Sequence, residues 1–563
     1  MKKHHAIIYY HGIGSPRRHM SLGNFLDHFD LYGQRQSKNV AGKPRNFKYK
    51  SELFAGDDDV TNYIEFKKIV EINGSPRVTR IVRVYEAYWV PESRSSFGIL
   101  KTFFRFMGRV FSPFKVAFSV WRSYPAIRIL SLFKMGENYS NKGVIEKIER
   151  AYRDFENWES RGDYKNGTFR EFKNYLSVKY PKHESEKLVK AAINWRSSFV
   201  RLLSKHIFQI IFVTIAPVLF IYFVFLAAIG VIDLLPPIGP GDAQYELVQI
   251  GSVLAILIIT LLIAMSLFRR YLFDIISWTL DSERNNQFVN RERVVHYSQR
   301  LIRKVASHKD CAGVTIVSHS LGSCIASESL LREGAREKSL ARQGGETYLH
   351  KFKTLFTVGS PLDLIFFYFQ ADQTFSHRYN RIAEEKRLSI SLPPFRFDGI
   401  AGKSKVVNFW SRFDPVSSSM HSLRKRVSER RDAIENIEVL PGSKMFPIDA
   451  HTNYFADTNV MARIYSEVMD SPLENNRVDI FFKNNKHLMS IKIMRIIFAP
   501  AVIVIMFIQW WGLAGAWSWL ALIMFFILNY LVNHFFGRAM SREYQDAFGS
   551  FLHRGERGVD LRD

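Results

Sequence analysis

Three side chains capable of nucleophilic or acid–base chemistry each follow directly on a run of strand-forming residues. Ser320 lies just beyond Val314-Thr315-Ile316-Val317, Asp414 follows residues 406–410 in Ser411-Arg412-Phe413-Asp414-Pro415-Val416, and His451 follows residues 436–440. A serine hydroxyl is too weakly acidic to attack a carbonyl without a base to take its proton. An imidazole can be that base when a carboxylate fixes its tautomer and stabilises its charged form. These residue types in this order predict a nucleophile at Ser320, an orienting acid at Asp414 and a base at His451.

Around Ser320, the order Ser318-His319-Ser320-Leu321-Gly322 predicts a strand, a very tight turn and a helix, with the serine at the apex. Such a turn strains the backbone and needs small residues two before and two after the serine, a role for Ser318 and Gly322. Replacing Ser318 with glycine is expected to leave activity intact or raise it. His319 is expected to point away from Ser320. Upstream, the apolar run 6–10 delivers His11-Gly12-Ile13-Gly14-Ser15, a glycine-bearing loop that exposes backbone N–H groups. With the N–H of Leu321, that of Ile13 or Gly12 would bind an oxyanion, and His11 would shape the loop. His377 and His421 compete with His451 for the role of base, and Asp363 competes with Asp414. His4, His5 and His19 lack a second ligand cluster of suitable spacing, so neither a metal nor another cofactor is expected.

The elements that must position these groups read as a sheet with intervening helices. Strands are expected at 6–10, 79–90, 314–317, 352–358, 406–410 and 436–440, with Pro91 stopping the second. Helices are expected from Ser15-Pro16 to Phe29, over 290–307 and from the Ser320 turn through Leu331. Residues 34–59 are polar and read as loop. Strands separated by helices predict a mostly parallel sheet with helices on both faces, and the polar motifs follow strands, where open parallel sheets place their sites.

The chain is divided by apolar segments. Residues 207–235 carry no charge before Asp233 and 247–268 carry none, each long enough to cross a bilayer. The turn between them holds Pro236, Pro237, Gly239, Pro240 and Gly241. A second charge-free region, 496–536, has Gly512 and Gly515 near its middle with Trp510, Trp511, Trp517 and Trp519 around them, and reads as two spans or a re-entrant hairpin. Lys and Arg flank both hairpins, while the first turn carries only acids, so the positive-inside rule places the turns outside and both termini and Ser320 in the cytoplasm, at a bacterial inner membrane. Segment 97–135 spaces Lys101, Arg105 and Arg109 along one helical face opposite Phe103, Phe106 and Val110, either a surface-lying helix or one packed on the protein's own core. The resulting division is 1–135 and 276–470 as two parts of one domain, 136–275 as a helical insertion with the first hairpin, and 471–563 as the second hairpin with a tail.

A formal net charge of +25 implies an acidic partner, and the apolar segments make that an anionic lipid leaflet rather than nucleic acid. Two cysteines, Cys311 and Cys324, leave no disulfide framework and fit a reducing compartment. Cys324 is expected to pack, and no secretory signal is visible at the amino terminus.

SHSLG resembles the nucleophile elbow of the lipase and esterase branch of the α/β-hydrolases, TVGSPLD the strand and loop that follow it, FDPVS the acid loop and HTNYF the histidine loop. HGIG is similar to the oxyanion loop. The resemblance covers roughly 6–89 and 290–455, with Ser318 standing where the family pattern has glycine. It implies an α/β-hydrolase-like fold, a Ser320-His451-Asp414 triad, with Asp414 preferred over Asp363, and cleavage of carboxylic esters. Tethering to a bilayer points to lipid or phospholipid esters. The alternative is a non-catalytic membrane platform built on the same fold, which a displaced His451 would favour. A transporter would need polar groups within the spans, and these are almost absent.

Overall fold

All seven residues of His4–Tyr10 (β1) are buried, the mark of a strand covered on both faces. In the computed structural model, the described residues are 3–12, 18–37, 47–54, 62–73, 75–93, 286–362, 405–414, 416–420, 434–441 and 447–471, with isolated positions between 174 and 186. Ala6, Ile8 and Tyr10 project into one apolar layer and Ile7 and Tyr9 into the other, as the two-residue period of a strand requires.

Strands Phe47–Phe54 (β2), Tyr63–Ile72 (β3), Ser75–Ala87 (β4), Cys311–His319 (β5), Phe352–Val358 (β6), Lys405–Trp410 (β7) and Ile434–Glu438 (β8) join β1 in one sheet of order β2-β3-β4-β1-β5-β6-β7-β8. From β4 to β8 all neighbours are parallel, whereas β2–β3 and β3–β4 are antiparallel. The sheet is therefore mixed and mostly parallel. Its first four strands fall within 1–135 and its last four within 276–470.

Helices Asn286–Ser307 (α2) and Gly322–Arg342 (α3) cover one face, and Met20–Ser37 (α1) and Thr458–Met469 (α5) cover the other. A six-residue helix, Pro447–Thr452 (α4), carries His451. On α1 the buried residues Leu22, Phe25, Leu26 and Phe29 recur at helical spacing against Phe66, Val82 and Val84 of the sheet. Each such side chain contributes about 1.5–3 kcal/mol by leaving water. Helix α5 is preceded by Asp457, whose carboxylate accepts the N–H of Asn459 and caps the first turn.

Several expectations are corrected. Residues 34–59 are not a single loop, because α1 runs on to Ser37 and β2 occupies Phe47–Phe54. Lys48, Lys50 and Glu52, among the charges that made this stretch read as loop, belong to an outermost strand, where Glu52 meets Lys67 of β3 across the ladder and Lys67 also reaches Glu65 on its own strand. β4 starts at Ser75, not 79, because it forms a hairpin with β3 through Asn73, which adopts φ 52°. It ends at Ala87, and Val90–Ser93 forms a short 3-10 turn. α1 starts at Met20 and outruns Phe29, α3 outruns Leu331 to Arg342, and β8 is shifted to Ile434–Glu438.

Among the described residues no helix is long and apolar enough to cross a membrane. The expected spans 207–235 and 247–268, the region 496–536, segment 97–135 and nearly all of 143–205 lie outside the described residues.

Candidate functional site

Register brings the site together. Tyr10 pairs with Ser318 across β1 and β5, and His319 pairs with Val358 across β5 and β6, so His11-Gly12, Ser320 and Gly359 leave the sheet side by side. Ser320 is fully buried, and its N–H donates to the Val358 carbonyl (2.9 Å). Its φ of 51° lies in the left-handed region, a strained conformation for serine that the surrounding strand and helix impose.

Gly322 is required by a close approach. A Cβ there would lie 2.5 Å from the His11 carbonyl oxygen and 2.8 Å from that of Tyr10. Gly12 is restricted likewise, since its Cβ would meet the Ser320 Cβ at 2.8 Å and His319 Nδ1 at 2.9 Å. Ser318 does more than stay small: buried against β6, its hydroxyl donates to the Phe356 carbonyl (2.9 Å). Leu321 caps the amino end of α3, so its N–H has no intrahelical acceptor and the positive end of the helix dipole faces Ser320. Cys324, two residues into α3, is buried in the apolar layer, where burial pushes its thiol well above the usual value.

His451 connects the serine to the acid. Its Nε2 is 2.9 Å from Ser320 Oγ and its Nδ1 is 2.9 Å from Asp414 Oδ2. Because an ionised carboxylate only accepts, Nδ1 carries the proton and Nε2 offers its lone pair to the serine hydroxyl. Asp414 is buried, and burial by itself would raise its pKa. The nearby His451 charge and hydrogen bonds from His451, the Val416 N–H (2.8 Å) and the Tyr454 hydroxyl (2.9 Å) outweigh that and hold the carboxyl below its usual range.

The acid loop is itself braced. Buried Asn408 accepts from Thr357 and donates to the Ser418 carbonyl and to Asn436, whose side-chain oxygen also accepts the Met420 N–H. Arg412 makes two hydrogen bonds to Glu438. These contacts fix both ends of the turn that presents Asp414.

Two contributors to the site were not read from the sequence. Tyr454 hydrogen-bonds Asp414 and lies 2.9 Å from the Ser417 hydroxyl, and burial together with the Asp414 charge pushes its phenol far up, so it remains a donor. Gly359, at φ 60°, leaves the gap that its ring crosses, since a Cβ there would stand 2.8 Å from the ring. The signals were present, a tyrosine three residues after the histidine and a glycine directly after β6.

The placement of His319 is a correction. Rather than pointing away, its ring packs beside that of His451 (centroids 5.1 Å apart) and its Nε2 is 2.9 Å from the His451 carbonyl oxygen. The end of β5 turns sharply at Ser320, which leaves the His319 side chain on the side where α4 packs. His11 is buried, stacks on Trp89 at 4.7 Å, and gives its Nδ1 proton to the Gly12 carbonyl. Ile13, Asp363, His377 and His421 lie outside the described residues. His4 and His5 sit at the opposite end of β1, where His5 bonds Thr315 (2.8 Å), and His19 pairs with Glu86 (2.9 Å).

The arrangement can move a proton from a hydroxyl to an imidazole held by a carboxylate, beside the amino end of α3. Comparison with family models, curated proteins and solved structures finds no match.

Proposed function

We propose that the chain is a membrane-embedded serine hydrolase of the α/β-hydrolase type that cleaves carboxylic esters, with Ser320 as nucleophile, His451 as base and Asp414 as the orienting acid. The observation that carries this reading is the continuous relay Ser320 Oγ, His451 Nε2, His451 Nδ1, Asp414 Oδ2, both contacts at 2.9 Å, on a serine strained to φ 51°. The undisplaced His451 favours the enzyme over the non-catalytic platform.

In the reaction, Ser320 Oγ bonds to the ester carbonyl carbon while its proton passes to His451 Nε2. The carbonyl oxygen, now negative, receives the N–H of Leu321 and that of Gly12 or Ile13. Loss of one such donor commonly costs about 3 kcal/mol of barrier. Collapse breaks the bond to the leaving alkoxide, which takes the proton from Nε2, and water then repeats the sequence on the acyl-serine. Asp414 stays ionised throughout and stabilises the imidazolium.

The lipid part of the proposal rests on the uncharged runs 207–235, 247–268 and 496–536 and the basic residues that flank them. A catalytic domain interrupted by a bilayer hairpin works beside its substrate if that substrate is a lipid or phospholipid ester of an anionic cytoplasmic leaflet. The test is fluorophosphonate labelling of membranes holding the wild type or Ser320→Ala. Labelling confined to the wild type is expected, and equal labelling of both sinks the assignment. Lipid profiling of the same two membranes identifies the ester consumed.

A further inference from the structure

We propose that His319 is a positioning residue, which ties the main chain of the base to the nucleophile strand through its bond to the His451 carbonyl and so holds the imidazole over Ser320. The inference deepens the acyl-transfer reading above and rests on it.

A carbonyl oxygen only accepts, so the 2.9 Å contact assigns the proton of His319 to Nε2 and leaves Nδ1 bare toward Gly12. The ring is wedged beside His451 (5.1 Å), Phe455 (5.9 Å) and Tyr454 (6.3 Å), all on the segment that carries the base. His451 itself sits on a helix of only six residues, too short to hold its own geometry without tertiary contacts.

The other two contacts of the base change character during the reaction. The Ser320 contact breaks as acyl transfer proceeds, and the Asp414 contact strengthens as the imidazole becomes charged. The His319 contact is made to a peptide oxygen and does not depend on the protonation of the imidazole. It spans 132 residues of sequence to join the two reacting partners directly, because His319 is adjacent to the nucleophile and its acceptor belongs to the base.

The chemistry of a histidine suits the place. Burial first, and then the neighbouring His451 charge, pushes His319 down to about 4, so it is neutral when His451 gains its proton. A lysine or arginine there would repel the imidazolium. A neutral imidazole supplies one donor and a flat ring of the size that the His451 face accepts.

The test compares wild type with His319→Phe, which keeps the ring and removes the donor, and His319→Gln, which keeps a donor of similar reach. The inactivation constant kinact and the binding constant KI of a fluorophosphonate are measured on the full chain in detergent, with melting temperature recorded for each variant. One hydrogen bond of ordinary strength makes the expected loss in kinact for His319→Phe about tenfold, with KI within about twofold. His319→Gln is expected to recover kinact to within about threefold of wild type. A wild-type kinact in His319→Phe overturns the proposal, as does a His319→Gln loss equal to that of Phe. If His319→Phe is unfolded, the glutamine variant decides by the same threefold limit. Labelling of wild type that does not require Ser320 defeats the hydrolase reading itself, whereas Ser320-dependent labelling indifferent to His319→Phe defeats only the positioning role.

Discussion

Gly322→Ala tests whether the close packing of β1 against the start of α3 holds the site in register. The added Cβ would lie 2.5 Å from the His11 carbonyl oxygen, 2.8 Å from that of Tyr10 and 2.9 Å from the Tyr10 Cβ. None of these is the free end of a flexible side chain. The Tyr10 oxygen belongs to the last residue of a strand paired on each side, by β4 and β5, and the His11 oxygen follows it directly, so neither can retreat without moving the strand end. Bringing the nearest contact out even to 3.0 Å demands a shift of about 0.5 Å, the whole tolerance of a preorganised site. The atoms that move are those that matter, since α3 carries Leu321 at its start and β1 leads into Gly12. Overpacking of this kind costs about 1–3 kcal/mol of stability, and a displacement approaching 1 Å at the reacting groups costs on the order of a hundredfold in rate. The assay is kinact for a fluorophosphonate, alongside thermal unfolding. Gly23→Ala serves as the control, because a Cβ at that position in α1 meets nothing within 4 Å and should leave kinact unchanged while raising stability slightly. A Gly322→Ala variant with wild-type kinact and melting temperature would refute the reasoning, since the elbow would then tolerate a methyl group where the geometry leaves no room.

Two further outcomes are expected. Tyr454→Phe removes one of three hydrogen bonds to the buried Asp414 carboxylate, a loss of about 1.5–3 kcal/mol for a bond to a charged group, so stability should drop by that order and kinact several-fold, as thermal unfolding and labelling rates will report. Acid should also weaken the fold through its buried histidines. Burial pushes His5 down to about 3 and His11 to about 4, whereas in the unfolded chain each titrates near 6.5. As pH falls below about 6.5 the unfolded state takes up protons that the native state refuses, so stability is fully present above that value and declines toward pH 4, by roughly 2 kcal/mol per histidine at pH 5. His5→Gln, which can keep the bond to Thr315, should flatten the pH dependence of the unfolding midpoint between pH 7 and 5. An unchanged slope would show that His5 is not held neutral.

The sequence by itself determined the central strands and the order of the three hydrogen-bonded side chains. The runs that become β1, β5, β6 and β7 are dominated by apolar and β-branched residues, as strands covered on both faces require. Serine, aspartate and histidine after such runs identified the relay because a sheet of this kind presents the carboxyl ends of its strands together. The tertiary structure alone decided the remainder. The antiparallel pair β2–β3 was hidden because an outermost strand needs apolar residues on only part of its surface, and Glu52 finds Lys67 only once the two strands have paired. The partners of His319, Tyr454 and Gly322 were equally hidden, since each is met only when strands far apart in sequence come into register. Local composition encodes which segments must leave water, but the distance between a glycine and a facing carbonyl, or between an imidazole and the peptide oxygen of another segment, exists only after those segments have packed.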